Sequence, residues 1–168
     1  KLIAMRISPT EMPAKNSRSS SDIQIRGTEG LVVSYAKCCY PIPGDPILGY
    51  ISQEKGIVVH RQKCRSINHM KKQSDETIDL SWDDNVDDMF SASIKVEVDN
   101  VRGVLAKISS QIAQNDSNIE SVTYDDTKET GHNIMVFVIS INDVKGLNKL
   151  IRKLKKNPNI LNVERKKS

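Results

Sequence analysis

All three cysteines of this 168-residue chain lie in one short stretch, together with one of its three histidines. Cys38 and Cys39 are adjacent, and His60 and Cys64 follow about twenty residues later, four positions apart. Three thiolates and one imidazole form a ligand set that suits a tetrahedral zinc ion. The first hypothesis is therefore a zinc site made by these four side chains.

Two other interpretations of the same residues stay open. Small buried thiols can simply fill a core beside a surface histidine, and the Cys-x-x-Cys pair of standard zinc fingers does not occur here. The other alternative is a nucleophilic or redox thiol, with His60 as the base of Cys39. Such a base needs a third group to orient it, but the segment around His60 holds Arg61, Lys63 and Arg65 and no carboxylate.

No catalytic site is predicted elsewhere in the chain. It holds neither a Gly-x-x-x-x-Gly-Lys-Ser/Thr phosphate loop nor a His-Asp pair. His69 lies in a basic, helix-like stretch and His132 in a turn, so both are expected to be solvated rather than to bind a metal.

The cysteine pair needs a turn to work as a pair of ligands. Adjacent residues of a strand point to opposite faces, and the prolines and Gly44 between Pro41 and Pro46 predict a turn just after the pair. The elements predicted around it are a strand at 31–33, a hairpin at 47–51 and 56–60, and a short helix at 64–72.

The second half of the chain is more regular. Apolar residues alternate or recur at helical spacing in the order β-α-β-β-α-β, with strands predicted at 93–98, 119–124, 133–141 and 160–163 and helical stripes at 101–112 and 147–154. This order predicts an α+β fold: a small β-rich cysteine domain followed by a ferredoxin-like sandwich of four antiparallel strands with both helices on one face.

One strand of that sandwich predicts self-association. Every residue from Ile134 to Ile139 is apolar, whereas the two helices can cover only one face of the sheet. The other face then needs a second copy of the sheet or a neighbouring domain.

Composition suggests the division of the chain. A Ser- and Pro-rich stretch at 1–22 is expected to be a flexible linker, 23–74 the cysteine domain, 75–89 an acidic connection around Trp82, and 90–168 the sandwich. Within the acidic connection, residues 77–82 are expected to form an edge strand that closes the first domain. No apolar run is long enough for a membrane span, and an odd cysteine count without a secretory signal favours the cytoplasm.

The charge is uneven along the chain. Residues 1–75 hold 12 lysines and arginines against 6 acidic residues, whereas residues 76–168 hold 13 against 15. The basic half is compatible with a nucleic-acid partner, and a merely solvated surface is the alternative.

A second candidate site precedes the first helix of the sandwich. Gly103 would let a ligand approach the backbone closely, and the start of the helix offers unpaired N–H groups to a carboxylate. The alternative is an ordinary turn between strand and helix, capped by Asp99 or Asn100.

The motifs of both halves resemble one family. The Lys-Cys-Cys-Tyr-Pro-Ile-Pro-Gly-Asp run at 37–45, followed by Gly-Ile-Val-Val-His-Arg at 56–61 and Cys64, closely resembles the conserved-cysteine, zinc-finger-like domain of the long RelA/SpoT proteins. The second half is similar to the ACT domain that ends those proteins. The resemblance covers about residues 23–165, and the Gly-Thr-Glu-Gly stretch at 27–30 looks most like the SpoT-type, bifunctional branch.

The resemblance implies a function without catalysis in this chain. Such proteins make and hydrolyse the alarmone (p)ppGpp in the stringent response, with catalytic domains that use a divalent metal such as Mn²⁺ or Mg²⁺ and that are absent here. This chain would regulate those domains as their C-terminal part. The implied partners are the catalytic domains themselves, the ribosome with its tRNA, an amino-acid effector and a second copy bound through the ACT sheet.

The resemblance also assigns residues to these partners. The effector would bind at Asn100, Arg102, Gly103, Val104 and Leu105. The family usually has aspartate where this chain has Lys63, and this replacement makes a small basic edge that would suit RNA, formed by Arg61, Lys63 and Arg65.

Overall fold

The computed structural model describes residues 25–26, 32–52, 55–70, 77–99, 101–125 and 132–166. Its elements, in chain order, are β1 (Ile25–Arg26), β2 (Val33–Tyr35), β3 (Ile47–Ser52), β4 (Gly56–Arg61), α1 (Arg65–Met70), β5 (Thr77–Asp79), β6 (Ser81–Trp82), β7 (Phe90–Val98), α2 (Val104–Ala113), β8 (Ile119–Asp125), β9 (Asn133–Ile141), α3 (Val144–Leu154) and β10 (Ile160–Arg165). The linker predicted at 1–22 and the stretch at 27–30 lie outside the described residues. Within the described part, no helix combines the length and the apolar character that a membrane crossing requires.

The first sheet has four strands in the order β2-β4-β3-β5. The predicted hairpin is confirmed, since β3 and β4 pair antiparallel along their whole length. The strand predicted at 31–33 begins later, at Val33, because pairing with β4 and not the local apolar run sets its bounds. The short helix predicted at 64–72 is α1, which begins directly after Cys64.

The edge strand expected at 77–82, within the acidic connection, is confirmed as two short strands, β5 and β6. Strand β5 pairs antiparallel with β3 and closes one edge of the sheet, and β6 forms a separate two-stranded ladder with β1. The first structural unit therefore extends beyond residue 74, and the link to the second sheet is limited to residues 83–89.

The second sheet confirms the predicted β-α-β-β-α-β order. Its four strands are all antiparallel and run β10-β7-β9-β8. Helices α2 and α3 pack on one face through buried side chains at helical spacing: Val104, Ile108 and Ile112 from α2, and Leu147, Leu150 and Leu154 from α3. Val101, which the helical stripe includes, is 44% exposed because α2 begins only at Val104.

The two faces of β9 differ more than its sequence predicts. Met135, Phe137 and Ile139 are buried on the helix side, where they complete the aliphatic core. Val136 and Val138 are half-buried on the opposite side, directly opposite Lys95 and Ser93 of β7. That face is thus mixed rather than apolar, and self-association through it stays a prediction.

Candidate metal centre

Four potential metal ligands converge beside the first sheet, with all their ligand atoms within 4.8 Å of one another. Cys38 and Cys39 follow β2, whereas His60 lies near the end of β4 and Cys64 just after it. Because β2 and β4 are neighbouring parallel strands, their carboxyl ends lie at the same edge of the sheet. The strand arrangement therefore brings together residues that are more than twenty positions apart.

The chain turns at the cysteines themselves, earlier than the proline-rich segment predicts. The amide of Tyr40 donates to the carbonyl of Ala36 at 2.9 Å, and the amide of Ala36 donates to Val59 of β4 at 3.0 Å. Residues 37–39 thus form a turn instead of continuing β2. This satisfies the condition under which two adjacent cysteines can both bind one ion.

The distances between the ligand atoms fit a tetrahedral zinc ion. Cys38 Sγ lies 3.5 Å from His60 Nδ1 and 3.5 Å from Cys64 Sγ, and Cys39 Sγ lies 3.8 Å from His60 Nδ1. With zinc–sulfur bonds of about 2.3 Å and zinc–nitrogen bonds of about 2.0 Å, tetrahedral ligands are separated by about 3.8 Å for two sulfurs and about 3.5 Å for sulfur and nitrogen. Three of the six separations are thus within about 0.3 Å of those in a tetrahedral zinc site, and all six are within 4.8 Å.

Burial disfavours the ionised form of the two adjacent thiols. Burial raises the pKa of Cys39 to about 12, although the amide of Arg61 donates to its sulfur at 3.4 Å and partly opposes this effect. Burial also raises the pKa of Cys38. A divalent cation would stabilise the thiolates that burial alone disfavours.

The same environment disfavours the interpretation as a thiol enzyme. A nucleophilic cysteine needs an accessible sulfur and a lowered pKa, but Cys39 is only 3% exposed and its pKa is raised. None of the three cysteines forms a disulfide. The nucleophilic alternative is the weakest of the three.

The predicted basic edge divides into two parts. Lys63 and Arg65 are exposed beside the cluster, where they are available to an anionic partner. Arg61 is half-buried, and its Nη2 donates to the carbonyl of Lys166 at 3.3 Å. Arg61 therefore links the domain that carries the cluster to the residue that follows β10.

Both halves of the chain match family models. Residues 23–83 match the RelA/SpoT RIS domain, and residues 87–165 match the ACT domain. The chain belongs to the RelA/SpoT family. Its cysteine domain is a RIS domain, and the sandwich that follows is an ACT domain.

The curated relatives are much longer proteins. The chain is 32% identical over 153 residues to the bifunctional (p)ppGpp synthase/hydrolase SpoT of Escherichia coli K12, covering 90% of this chain and 22% of that protein. It is 29% identical over 155 residues to a GTP pyrophosphokinase of the same strain, covering 91% of this chain and 21% of that protein. The chain thus spans about a fifth of these relatives' length and matches their C-terminal region, outside the catalytic domains.

A solved structure resembles the ACT part. The ACT domain from GTP pyrophosphokinase of Chlorobium tepidum has 24% sequence identity and a TM-score of 0.40, with 46% of this chain and 99% of that chain covered. The assignment of the fold itself comes from the match to the ACT family and from the strand order of the second sheet.

The effector loop predicted in the ACT domain is only partly exposed. Arg102 and Gly103 are exposed, Val104 is buried in the core and Leu105 is half-buried, whereas Asn100 lies outside the described residues. Gly103 is the N-cap of α2, with a φ of 81° and no side-chain cap. Its left-handed conformation explains why the helix begins later than the apolar stripe predicts.

The other two histidines lie away from the cluster. His69 is exposed on α1, and His132 is exposed with its Nδ1 3.6 Å from a carboxylate oxygen of Asp99. Neither belongs to the group of four ligands.

Sequence reasoning missed the residues that join the RIS and ACT domains. Ile42 and Asp45 follow the cysteine pair, but Ile42 is buried in the ACT core and Asp45 pairs with Arg165. Residues 45 and 165 are 120 positions apart, so no local pattern indicates their contact. The only available signal was an aliphatic residue between two prolines in a turn, where a polar residue is more usual.

Proposed function

We propose that this chain is the regulatory part of a cytoplasmic enzyme that makes and hydrolyses (p)ppGpp, and that it catalyses neither reaction itself. The observation that carries the proposal is the pair of adjoining matches: a RIS domain and an ACT domain together, similar to the end of proteins named for that activity. Because the matched region excludes the catalytic domains of these relatives, the role left to this chain is control of them.

In this proposal the RIS domain is stabilised by zinc. Cys38, Cys39, His60 and Cys64 would hold the ion, and four protein ligands would leave no open position for substrate, as in structural rather than catalytic zinc sites. Zinc would supply the charge that makes the buried thiolates stable. The ion would thus fix the end of the first sheet and the start of α1 relative to each other.

The ACT domain would receive the regulatory signal. The exposed Arg102–Gly103 segment would bind a small effector such as an amino acid, and the face of the sheet that carries Val136 and Val138 would bind a second copy. Calorimetry with branched-chain amino acids tests the effector, and sedimentation tests the association. No heat and no thermal shift would exclude these amino acids, and a monomer at high concentration would exclude the dimer.

The experiment that tests the main proposal uses the parent protein. We expect the purified chain to leave ATP, GDP and (p)ppGpp unchanged, and we expect removal of residues 23–165 from the parent to change its ratio of (p)ppGpp synthesis to hydrolysis. Chromatography of labelled nucleotides measures both rates. An unchanged ratio in the truncated parent, under nutrient conditions that shift the intact parent, would contradict a regulatory role.

A second candidate function is zinc-dependent binding of RNA or the ribosome. It is supported by the exposed cations beside the cluster, Lys37, Lys63 and Arg65, and by the basic first half of the chain. Electrostatic binding of this kind falls steeply with salt concentration. Failure to bind ribosomes or tRNA at low salt would exclude it.

A further inference from the structure

The turn that follows the cysteine pair ends inside the ACT domain. Ile42, three residues after Cys39, has no exposed surface and belongs to the same buried cluster as Phe137 and Leu147. A side chain of the RIS domain therefore completes the core of the ACT domain. Any displacement of this turn would open a cavity in that core.

Polar contacts hold the same turn from the ACT side. Arg165 donates from Nη1 to Asp45 Oδ1 at 2.7 Å, and from Nη2 to Asp45 Oδ2 at 2.6 Å and to the carbonyl of Tyr40 at 2.7 Å. The amide of Val144, the first residue of α3, donates to the carbonyl of Pro43 at 2.9 Å. Both the last strand and the last helix of the ACT domain are thus bonded to the turn.

The turn has little room to move independently of either domain. Asp45 Oδ2 also accepts from the amide of Ile42 at 2.9 Å, so one carboxylate holds the turn closed and binds Arg165. Tyr40 has a φ of 46°, a left-handed conformation that a residue with a side chain adopts at a cost. A Cβ atom at Gly44 would lie 3.3 Å from Cβ of Val144, so the turn and α3 are in direct contact.

We propose that this turn, residues 38–46, couples the metal state of the RIS domain to the ACT domain. This inference rests on the proposed zinc site. With the cluster loaded, Cys38 and Cys39 fix one end of the turn, which keeps Ile42 in the ACT core and Asp45 on Arg165. Without metal, that end is released and the docked arrangement of the turn is less populated.

The coupling must act in both directions. If metal binding favours the docked turn, then docking favours metal binding by the same factor. A change at β10 or at the start of α3, such as one caused by an effector or a second copy on the ACT domain, would therefore change the metal affinity of the cluster. The turn would link the two regulatory domains without a separate hinge.

The test measures metal affinity in variants of the docking residues. Cobalt(II) is the probe, because its thiolate absorption reports binding directly, and a chelator sets its free concentration. We expect Ile42→Ala and Arg165→Gln to weaken cobalt binding about tenfold, within the usual range of coupling between sites. If either variant fails to fold, the milder Ile42→Val is measured instead. We expect it to weaken cobalt binding by a smaller factor.

Matched controls separate coupling from general destabilisation. Ile112→Ala and Ile112→Val remove the same groups from the same ACT core, but from α2 instead of the turn. Arg152→Gln removes an exposed arginine of α3. These controls should bind cobalt as the unchanged protein does.

Hydrogen exchange gives a second measurement in the unchanged protein. Stripping the metal should speed exchange at the amide of Val144, whose acceptor is in the turn, and not at the amide of Lys107, whose acceptor is Gly103. Unchanged cobalt affinity in the turn variants, or equal weakening in the controls, would overturn the coupling and leave the metal site intact. Failure of the unchanged protein to bind cobalt or zinc would overturn both proposals.

Discussion

Arg165 and Asp45 form a bidentate ion pair that joins the last strand of the ACT domain to the turn of the RIS domain. Both of its bonds are short, 2.6 and 2.7 Å, and the two side chains are only 16% and 9% exposed. Removal of one partner of such a buried ion pair strongly lowers the stability of the fold, because the remaining charge loses its counterion. The junction between the domains therefore depends on this pair as well as on the burial of Ile42.

Replacement of Asp45 should destabilise the whole chain. Asp45→Asn leaves the guanidinium of Arg165 without a counterion, and we expect it to lower the free energy of unfolding by about 3 kcal/mol. Urea denaturation measures the change. Adding Arg165→Met to Asp45→Asn should restore part of the loss, because the uncompensated charge is then removed.

A surface carboxylate provides the control for this pair. Glu120 is exposed and accepts a hydrogen bond only from Ser91 among the contacts described for it. Glu120→Gln should change stability by less than about 0.5 kcal/mol. An equally small effect of Asp45→Asn would show that the ion pair does not stabilise the junction.

Zinc content should depend on four residues and on no other histidine. We expect about one zinc per chain, lost in Cys39→Ser, His60→Ala and Cys64→Ser, because each removes a ligand from a set of four. Elemental analysis measures the metal. His69→Ala and His132→Ala are matched controls that should keep it, since neither side chain lies in the cluster.

Metal removal should also lower the melting temperature. A ligand present at about 1,000 times its Kd stabilises the folded state by about 4 kcal/mol, which for a chain of this size corresponds to a shift of about 10 °C. Calorimetry with and without a chelator measures it. Identical melting curves and a metal-free purified protein would favour reduced structural thiols instead.

Regular elements were predictable because their evidence is local. The apolar stripes of α2 and α3, the alternation in β7 and the apolar run of β9 are visible in short windows, and the ACT topology follows from their order. The start of α2 was not predictable from its stripe. Val101 continues the apolar spacing of α2. The helix nevertheless begins only at Val104, because Gly103, directly before it, adopts a left-handed conformation.

The ligands of the candidate metal centre were also predictable, but their setting was not. Residue type and spacing identify Cys38, Cys39, His60 and Cys64, and the structure brings their ligand atoms together. The docking of Ile42 into a core built by residues 90–163 is a tertiary contact between two domains. Such contacts follow from how the sheets pack, which no window of the sequence describes.

The phenol of Tyr35 should titrate late. The side chain is 38% exposed, but its contacts with Trp82 and Phe90 partly bury the phenol; this raises its pKa above 10.0, and the nearby charge of Asp88 adds to the effect. Because the folded state holds this proton more tightly than the unfolded state, the stability that it contributes is fully present below about pH 10. It is lost as the pH rises through the raised pKa.

Absorbance at 295 nm follows the ionisation of the four tyrosines. Tyr35→Phe should remove a component of this titration that lies above the ordinary pKa of tyrosine. An unchanged titration in the Tyr35→Phe variant above that pH would show that partial burial does not raise the pKa of Tyr35.

Substitution of Gly103 should lower the stability of the fold only through strain in the backbone at that position. No atom lies within 4 Å of the place where its Cβ would be, and its φ is 81°. We expect Gly103→Ala to lower stability by about 1 kcal/mol and Gly103→Asn by less, because asparagine tolerates the left-handed region better. Thermal unfolding measures both, and a larger loss for asparagine would contradict this explanation.

This difference makes Gly103→Asn a useful probe of the effector loop. It adds a side chain at an exposed position while keeping the backbone conformation, so the fold should stay intact. Loss of effector binding in this variant would then reflect blocked access to the loop. Retained binding would indicate that the effector binds elsewhere on the ACT domain.

Reversal of the exposed charges beside the cluster should weaken RNA binding without affecting the metal. Lys63→Glu combined with Arg65→Glu removes two cations that are available to phosphates, so the slope of log affinity against log salt should fall by about 2. Arg61 is left unchanged because it donates to the carbonyl of Lys166.

The control, Lys149→Glu with Arg152→Glu, makes the same charge change on exposed positions of α3. Equal weakening in both double variants would mean that RNA responds to net charge, and no weakening in either would exclude this edge as its contact.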